Sequence, residues 1–338
     1  MRSATVEIGV SNMDFYPFAL PGSDAPTWRS DVDGMVSFLE QTNARSVEVF
    51  PTANIVADVQ NRIDKGLTAG VDEIIGSQHM TFNNGRGLYG RVADKCGVLR
   101  EDNCIGGMAV IQAALPENAP AVMYHDRAPE GGYTDENTGL KLRIAQPQPE
   151  DYPQLQKEFP DIDVRSPEGF REALRRKGIV GLCMDTGHSR RLGTVGDGGA
   201  GPYAAPYWQD VWPDQFASGK VYELHASANR VDQAKNDPEF AANSAAEYKA
   251  LTSRSWRAAR DTEMGEMIIS GIEHWVPPAD LARPVLRMIM EFPPDPRRIR
   301  RSIAEHAQAV VNLAEIVRYA GGRPLLWDSP NSQRPYSQ

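Results

Sequence analysis

Cysteine is scarce. The chain has three in 338 residues, Cys96, Cys104 and Cys183, and no Cys-x-x-Cys pair. They are too few and too scattered for a disulfide framework, so a reducing, cytoplasmic location is expected. Long apolar runs are lacking too. No stretch of about 18 apolar residues occurs, and the first residues lead straight into a strand-like segment without the pattern of a signal peptide. No membrane association is expected. Positive charge is in deficit, with 36 Lys and Arg against 45 Asp and Glu, for a net charge of -9. Nucleic-acid affinity rests on neutralising phosphates, so DNA or RNA is not the expected partner. No Gly-rich phosphate turn follows the first strand-like segment, which removes support for a doubly wound dinucleotide-binding sheet. There is no internal repeat and no low-complexity tract.

Eight short apolar segments are present, at about 6–11, 46–50, 73–78, 121–124, 141–145, 179–184, 220–224 and 285–290. Helical patterns lie between most of them, at 31–42, 55–65, 166–177, 242–260 and 297–319. Strand and helix alternating eight times predicts an α/β protein, a closed parallel (β/α)8 TIM barrel over 1–325, with 326–338 as a C-terminal tail. Two stretches interrupt the rhythm. One spans about 126–140. The other, 189–219, is rich in Gly and Pro and carries Tyr203, Tyr207, Trp208 and Trp212. Both follow predicted C-terminal strand ends, where barrel enzymes build their sites, and the second reads as a substrate lid.

The strand ends carry the chemistry. The run Ile179-Val180-Gly181-Leu182-Cys183-Met184-Asp185-Thr186-Gly187-His188 stops at a carboxylate and then delivers an imidazole. Other runs end in His79, His125, His225 and Glu291. These are ligand types for a hard or borderline divalent ion, and five such endings are hard to explain by packing. The alternatives are a cap at Asp185, a surface His188, a buried ion pair between His225 and Glu291, and loop hydrogen bonds at His79 and His125. His306 is expected on a solvated helix face, His274 has no expected role, and Cys183 is expected in the core, turned away from Asp185.

The ordered set Met184-Asp185-Thr186-Gly187-His188, then Glu223-Leu224-His225 with Arg230, then Met288-Ile289-Met290-Glu291-Phe292, resembles the xylose isomerase-like barrel superfamily. That group includes sugar isomerases and epimerases and the endonuclease IV type. The resemblance implies a divalent ion (Mn, Zn, Fe or Co, one to three ions) on Asp185, His225 and Glu291. It implies further ligands in His79, His125 and His188. Glu291 and His188 are the implied acid/base groups. Gln146 stands where a fifth-strand carboxylate is expected. Glu48, Arg190, Arg230 and Trp208 are expected to contact substrate. The implied activity is metal-assisted isomerisation or epimerisation of a small polyhydroxylated or hydroxy-keto substrate. The alternatives are a multinuclear hydrolase of the endonuclease IV type, and a lyase or oxidative enzyme on the same barrel. A homo-oligomer is compatible with all of these.

Overall fold

A computed structural model describes residues 3–12, 31–51, 53–78, 101–115, 156–163, 181–187, 207–227, 238–291 and 299–327, with shorter pieces between 122 and 176. Strands run in chain order: β1 (Thr5–Ser11), β2 (Ser46–Val49), β3 (Ile75–Gln78), β4 (Val122–Tyr124), β5 (Tyr133–Thr134), β6 (Lys141–Leu142), β7 (Ile144–Gln146), β8 (Leu182–Asp185), β9 (Val221–Ser227), β10 (Val285–Glu291) and β11 (Arg323–Leu325). The main sheet has the order β3-β2-β1-β10-β9-β8, all parallel, with β11 paired beside the start of β1. The last long strand, β10, therefore pairs with the first. A flat βα sheet with sequential strand order would leave those two at opposite edges. Their pairing shows that the sheet curls into a half-barrel. β4 and β7 form a separate parallel pair, with β4 alongside β3 and β7 alongside β8. β5, inside the expected loop 126–140, pairs antiparallel with β6, so the expected strand 141–145 is divided between β6 and β7.

The alternation along each strand sorts side chains by chemistry. On β1, β9 and β10 the even positions are apolar: Val6, Ile8 and Val10, then Leu224 and Ala226, then Leu286, Met288 and Met290. All are fully buried in the core shared with the helices. The odd positions carry the polar side chains Glu7, Glu223, His225, Arg287 and Glu291, with the apolar Val221, Val285 and Ile289 among them. The helices fit by the same logic. Asp31 caps Val32–Thr42 by accepting from Gly34 N at 2.9 Å, and Asn43 ends it in the left-handed conformation at φ 62°. Its apolar stripe, including Met35, Phe38 and Leu39, is buried. Ile299–Tyr319 packs against it and against Glu263–His274.

Three expectations change. The segment 242–260 is two helices, Pro238–Leu251 and Trp256–Arg260. The break falls at a Ser/Thr cluster whose hydroxyls bond backbone locally: Thr252 Oγ1 donates to Tyr248 O, and Ser253 Oγ to Ser255 O. The helix Glu263–His274 was not foreseen, although Thr262 caps it and Glu263 and Glu266 occupy its first turn. The stretch 189–219 is not one loop, because Tyr207–Ala217 is a helix. Trp212 Nε1 there donates to Met267 O at 2.8 Å, tying this helix to Glu263–His274. No described helix is long and apolar enough to cross a membrane.

Candidate metal centre

Inside the curl the lowest polar layer is an ion pair. Arg287 on β10 lies directly across from Glu7 on β1, and its Nε donates to Glu7 Oε1 at 3.1 Å. Ser46 Oγ donates to the same oxygen at 2.5 Å. Burial alone would raise the Glu7 pKa, but the Arg287 guanidinium and the Ser46 hydroxyl outweigh it and hold the carboxyl below its ordinary range. Gly76 makes room. A Cβ there would stand 2.7 Å from Arg287 Nε and 2.7 Å from Ser46 Oγ.

Above this layer everything converges on His225. A register irregularity between Leu182 and Cys183 sets Cys183 across from Glu223 and Asp185 across from His225. The Nε2 edge of the imidazole lies 3.0 Å from Glu223 Oε1 and 3.2 Å from Glu48 Oε1. The Nδ1 edge lies 3.7 Å from Asp185 Oδ2 and 3.5 Å from Glu291 Oε1. Four carboxylates from β2, β8, β9 and β10 thus surround one ring. Burial would lower the His225 pKa, but Cys183, Glu48, Glu291 and Asp185 together hold it well above its ordinary value. Glu48 is pushed up to about 8 by burial, with Glu223 and Glu291 adding repulsion against the opposing pull of His225.

The strand ends are pinned. Thr186 Oγ1 donates to Ser227 O at 3.2 Å and accepts from Ser227 N at 3.0 Å, locking the end of β8 to β9. Asp185 Oδ1 accepts from Gly187 N at 2.6 Å, which fixes its carboxylate at the start of the Thr-Gly turn. Asn12 and Phe50 exchange two hydrogen bonds, of 3.0 and 2.9 Å, and do the same for the ends of β1 and β2.

The residues fit a divalent ion. The two groups among the described residues close enough to hold one are Glu48–His225–Glu291 and Cys183–Glu223–His225, each with ligand atoms within 4.8 Å of one another. Donors bound at about 2.0–2.2 Å around an ion sit roughly 3–3.5 Å apart, close to the separations seen here. Both Glu48 oxygens and Glu223 Oε2 are buried and receive no hydrogen bond. Buried carboxylates without donors are costly unless a cation compensates them. Among the described residues, Glu7, Glu48, Asp185, Glu223 and Glu291 pair in this interior with Arg287 and His225.

Of the expected ligands, the structure brings Asp185, His225 and Glu291 around one point. Glu48, expected as a substrate contact, is instead fully buried against the imidazole, in a ligand's position. Cys183 was expected to turn away. It does not, because positions 183 and 185 are two apart and share a face. Its Sγ lies 3.9 Å from Glu223 Oε1, and burial pushes its thiol well up. Trp208 is occupied in helix packing, donating to Glu263 Oε1 at 3.0 Å, and is not among the residues brought to the cluster. His306 is buried, edge-on to Phe38 at 5.7 Å, and is not on a solvated face. Gln146 is the last residue of β7, across from Tyr124 of β4. His79, His125, His188, Arg190 and Arg230 lie outside the described residues. Glu223 enters the sequence reading only within the Glu223-Leu224-His225 motif, with no role of its own, and the Glu7–Arg287 pair does not enter it. The signal was the odd-position polar alternation Glu223/His225 and Arg287/Glu291 within otherwise apolar strands. No protein-family profile, curated protein or solved structure matches this chain.

Proposed function

We propose that the protein is a divalent-metal-dependent isomerase or epimerase of a small, oxygen-rich substrate, built on a closed (β/α)8 barrel of the xylose isomerase-like kind. In this reading β1, β2, β3, β4, β7, β8, β9 and β10 are the eight barrel strands. The observation that carries the proposal is the convergence of Glu48, Asp185 and Glu291 on His225 at the C-terminal ends of parallel strands, the face on which barrel enzymes hold substrate.

The ion would be held by His225 and Glu291, with Glu48 and Asp185 completing or flanking the shell. When bound, it would polarise adjacent substrate oxygens and stabilise negative charge developing there. Glu291 is the side chain at the mouth. It retains 11% exposure, whereas Glu48, Asp185 and His225 have none. It is therefore the carboxylate able to reach a substrate carbon and carry the proton between its two positions. Asp185 and Glu48 hold charge and geometry. The Thr186–Ser227 clamp keeps β8 and β9 from shifting as substrate enters.

Two measurements test this. Metal analysis of the purified protein should find bound divalent ion. Incubation with candidate sugars or hydroxy-ketones in deuterated water should place deuterium on carbon, and E291Q should abolish that exchange. Incision of abasic-site DNA without any such exchange would replace the isomerase reading with that of a multinuclear hydrolase.

A further inference from the structure

The Nε2 edge of His225 faces a different set of groups from the Nδ1 edge. Glu223 and Cys183 each precede a residue of the upper cluster by two positions, on β9 and β8. At about 3.3 Å per residue, they lie some 6–7 Å deeper along the strands than His225 and Asp185. All three side chains, Cys183, Glu223 and His225, are fully buried.

We infer that Cys183, Glu223 and His225, with Glu48 as the fourth donor, form a second metal position below the first, one suited to a thiophilic divalent ion such as zinc, cobalt or cadmium. The sulfur–oxygen separation of 3.9 Å and the nitrogen–oxygen separations of 3.0 and 3.2 Å are close to those around a tetrahedral ion. Such an ion, with metal–sulfur bonds of about 2.3 Å and metal–oxygen or metal–nitrogen bonds of about 2.0–2.2 Å, places its donors roughly 3.4–3.6 Å apart. Glu48 is an independent pointer. It is completely buried, neither of its oxygens receives a hydrogen bond, and Oε1 is aimed at the Nε2 edge beside Glu223. A thiolate ligand selects softer ions than an all-oxygen and imidazole set does. Binding forms metal–sulfur, metal–nitrogen and metal–oxygen bonds and releases to solvent the Cys183 thiol proton together with the protons carried by His225 Nε2 and Glu48. Because every donor is sealed from solvent, this position has no open face for substrate. It is structural, stabilising the carboxylate-rich interior beneath the reactive mouth.

The inference shares His225 and Glu48 with the upper centre and rests on the reading of this interior as metal-binding, but not on catalysis. The test is titration of the full chain, stripped by chelator, with Co2+ alone. Sulfur-to-cobalt charge-transfer absorption and the number of ions per chain are recorded for the parent, C183S, E223Q and E291Q. The parent should show the charge-transfer band. C183S should lose it, with one ion fewer per chain. E223Q, which keeps the thiol, should bind the band-forming ion at least about tenfold more weakly. E291Q should keep the band, whatever happens at the mouth. A parent that binds cobalt without the band, or a band unchanged in both C183S and E223Q, overturns the lower site alone. A band with one ion per chain and no effect of E291Q supports the lower site and removes the upper one. No cobalt binding at all removes both.

Discussion

Glu48 and His225 sit on strands separated by two others, yet their Oε1 and Nε2 atoms are 3.2 Å apart. Only a curled sheet brings β2 and β9 face to face. The same curl forces Glu223, Asp185 and Glu291 onto the one imidazole. Fold and electrostatics are therefore a single feature. The β1–β10 pairing that closes one side of the curl also concentrates more buried carboxylate than the described cations balance.

Replacing Asp185 by Ala should strip bound metal while leaving the fold intact. Its Oδ2 faces His225 Nδ1, and its Oδ1 caps Gly187 N. Loss of that hydrogen bond should cost about 1 kcal/mol. The Thr186–Ser227 clamp should hold the end of β8 in place. Metal content beside far-UV circular dichroism reads both effects. Full occupancy in the variant would sink the assignment of Asp185 to the centre.

Gly76→Ala should destabilise the protein by about 1–3 kcal/mol. The added methyl would meet Arg287 Nε and Ser46 Oγ, two groups already held by Glu7. Neither can move aside without loosening the ion pair. Urea denaturation of parent and variant measures the difference. A neutral result would mean that Arg287 has another way to lie.

Glu7→Gln gives a pH-dependent loss. The folded-state pKa of Glu7 is lowered, so its charge stabilises the fold above the unfolded value near 4.5. That contribution disappears as pH falls through the lower, folded value. The variant should be less stable than the parent by about 1–3 kcal/mol at neutral pH. The gap should narrow as pH drops below the ordinary carboxylate range. A gap constant from pH 7 to pH 3 would show that packing, not charge, is what Glu7 contributes.

Much of the strand framework was legible because parallel strands covered by helices read as continuous apolar runs. β1, β2, β4 and β10 fall within a residue or so of their expected limits. The ligand types stood out because Asp185, His225 and Glu291 end such runs. What stayed hidden was the inside of the curl. Glu223 sits mid-strand, and its partner Arg287 comes from the neighbouring strand far along the chain. The local mark of each is its shared phase with His225 or Glu291; that the two meet is set by the pairing of β9 with β10. Cys183 was misplaced by a simple matter of phase, since period-two alternation puts it on the face of Asp185. His306 was misread because its burial depends on Phe38 of a helix that packs from the other end of the chain.

Glu48→Gln should reverse the order of stability between metal-free and metal-bound protein. Without metal, and above about pH 8 where it ionises, Glu48 is a buried carboxylate with no donor on either oxygen, repelled by Glu223 and Glu291. A neutral amide of the same shape relieves that repulsion, so the stripped variant should melt above the stripped parent. With metal, the amide is the weaker ligand. An ion present at about 100 times its dissociation constant stabilises the fold by roughly 2.7 kcal/mol. At that concentration the parent should gain most of this and the variant much less. Thermal melts of both proteins, chelated and saturated with Mn2+ or Zn2+, give four transition temperatures. The reading requires the two pairs to be ordered oppositely. If the parent melts higher in both conditions, Glu48 is held by His225 as an ion pair and is not waiting for a cation.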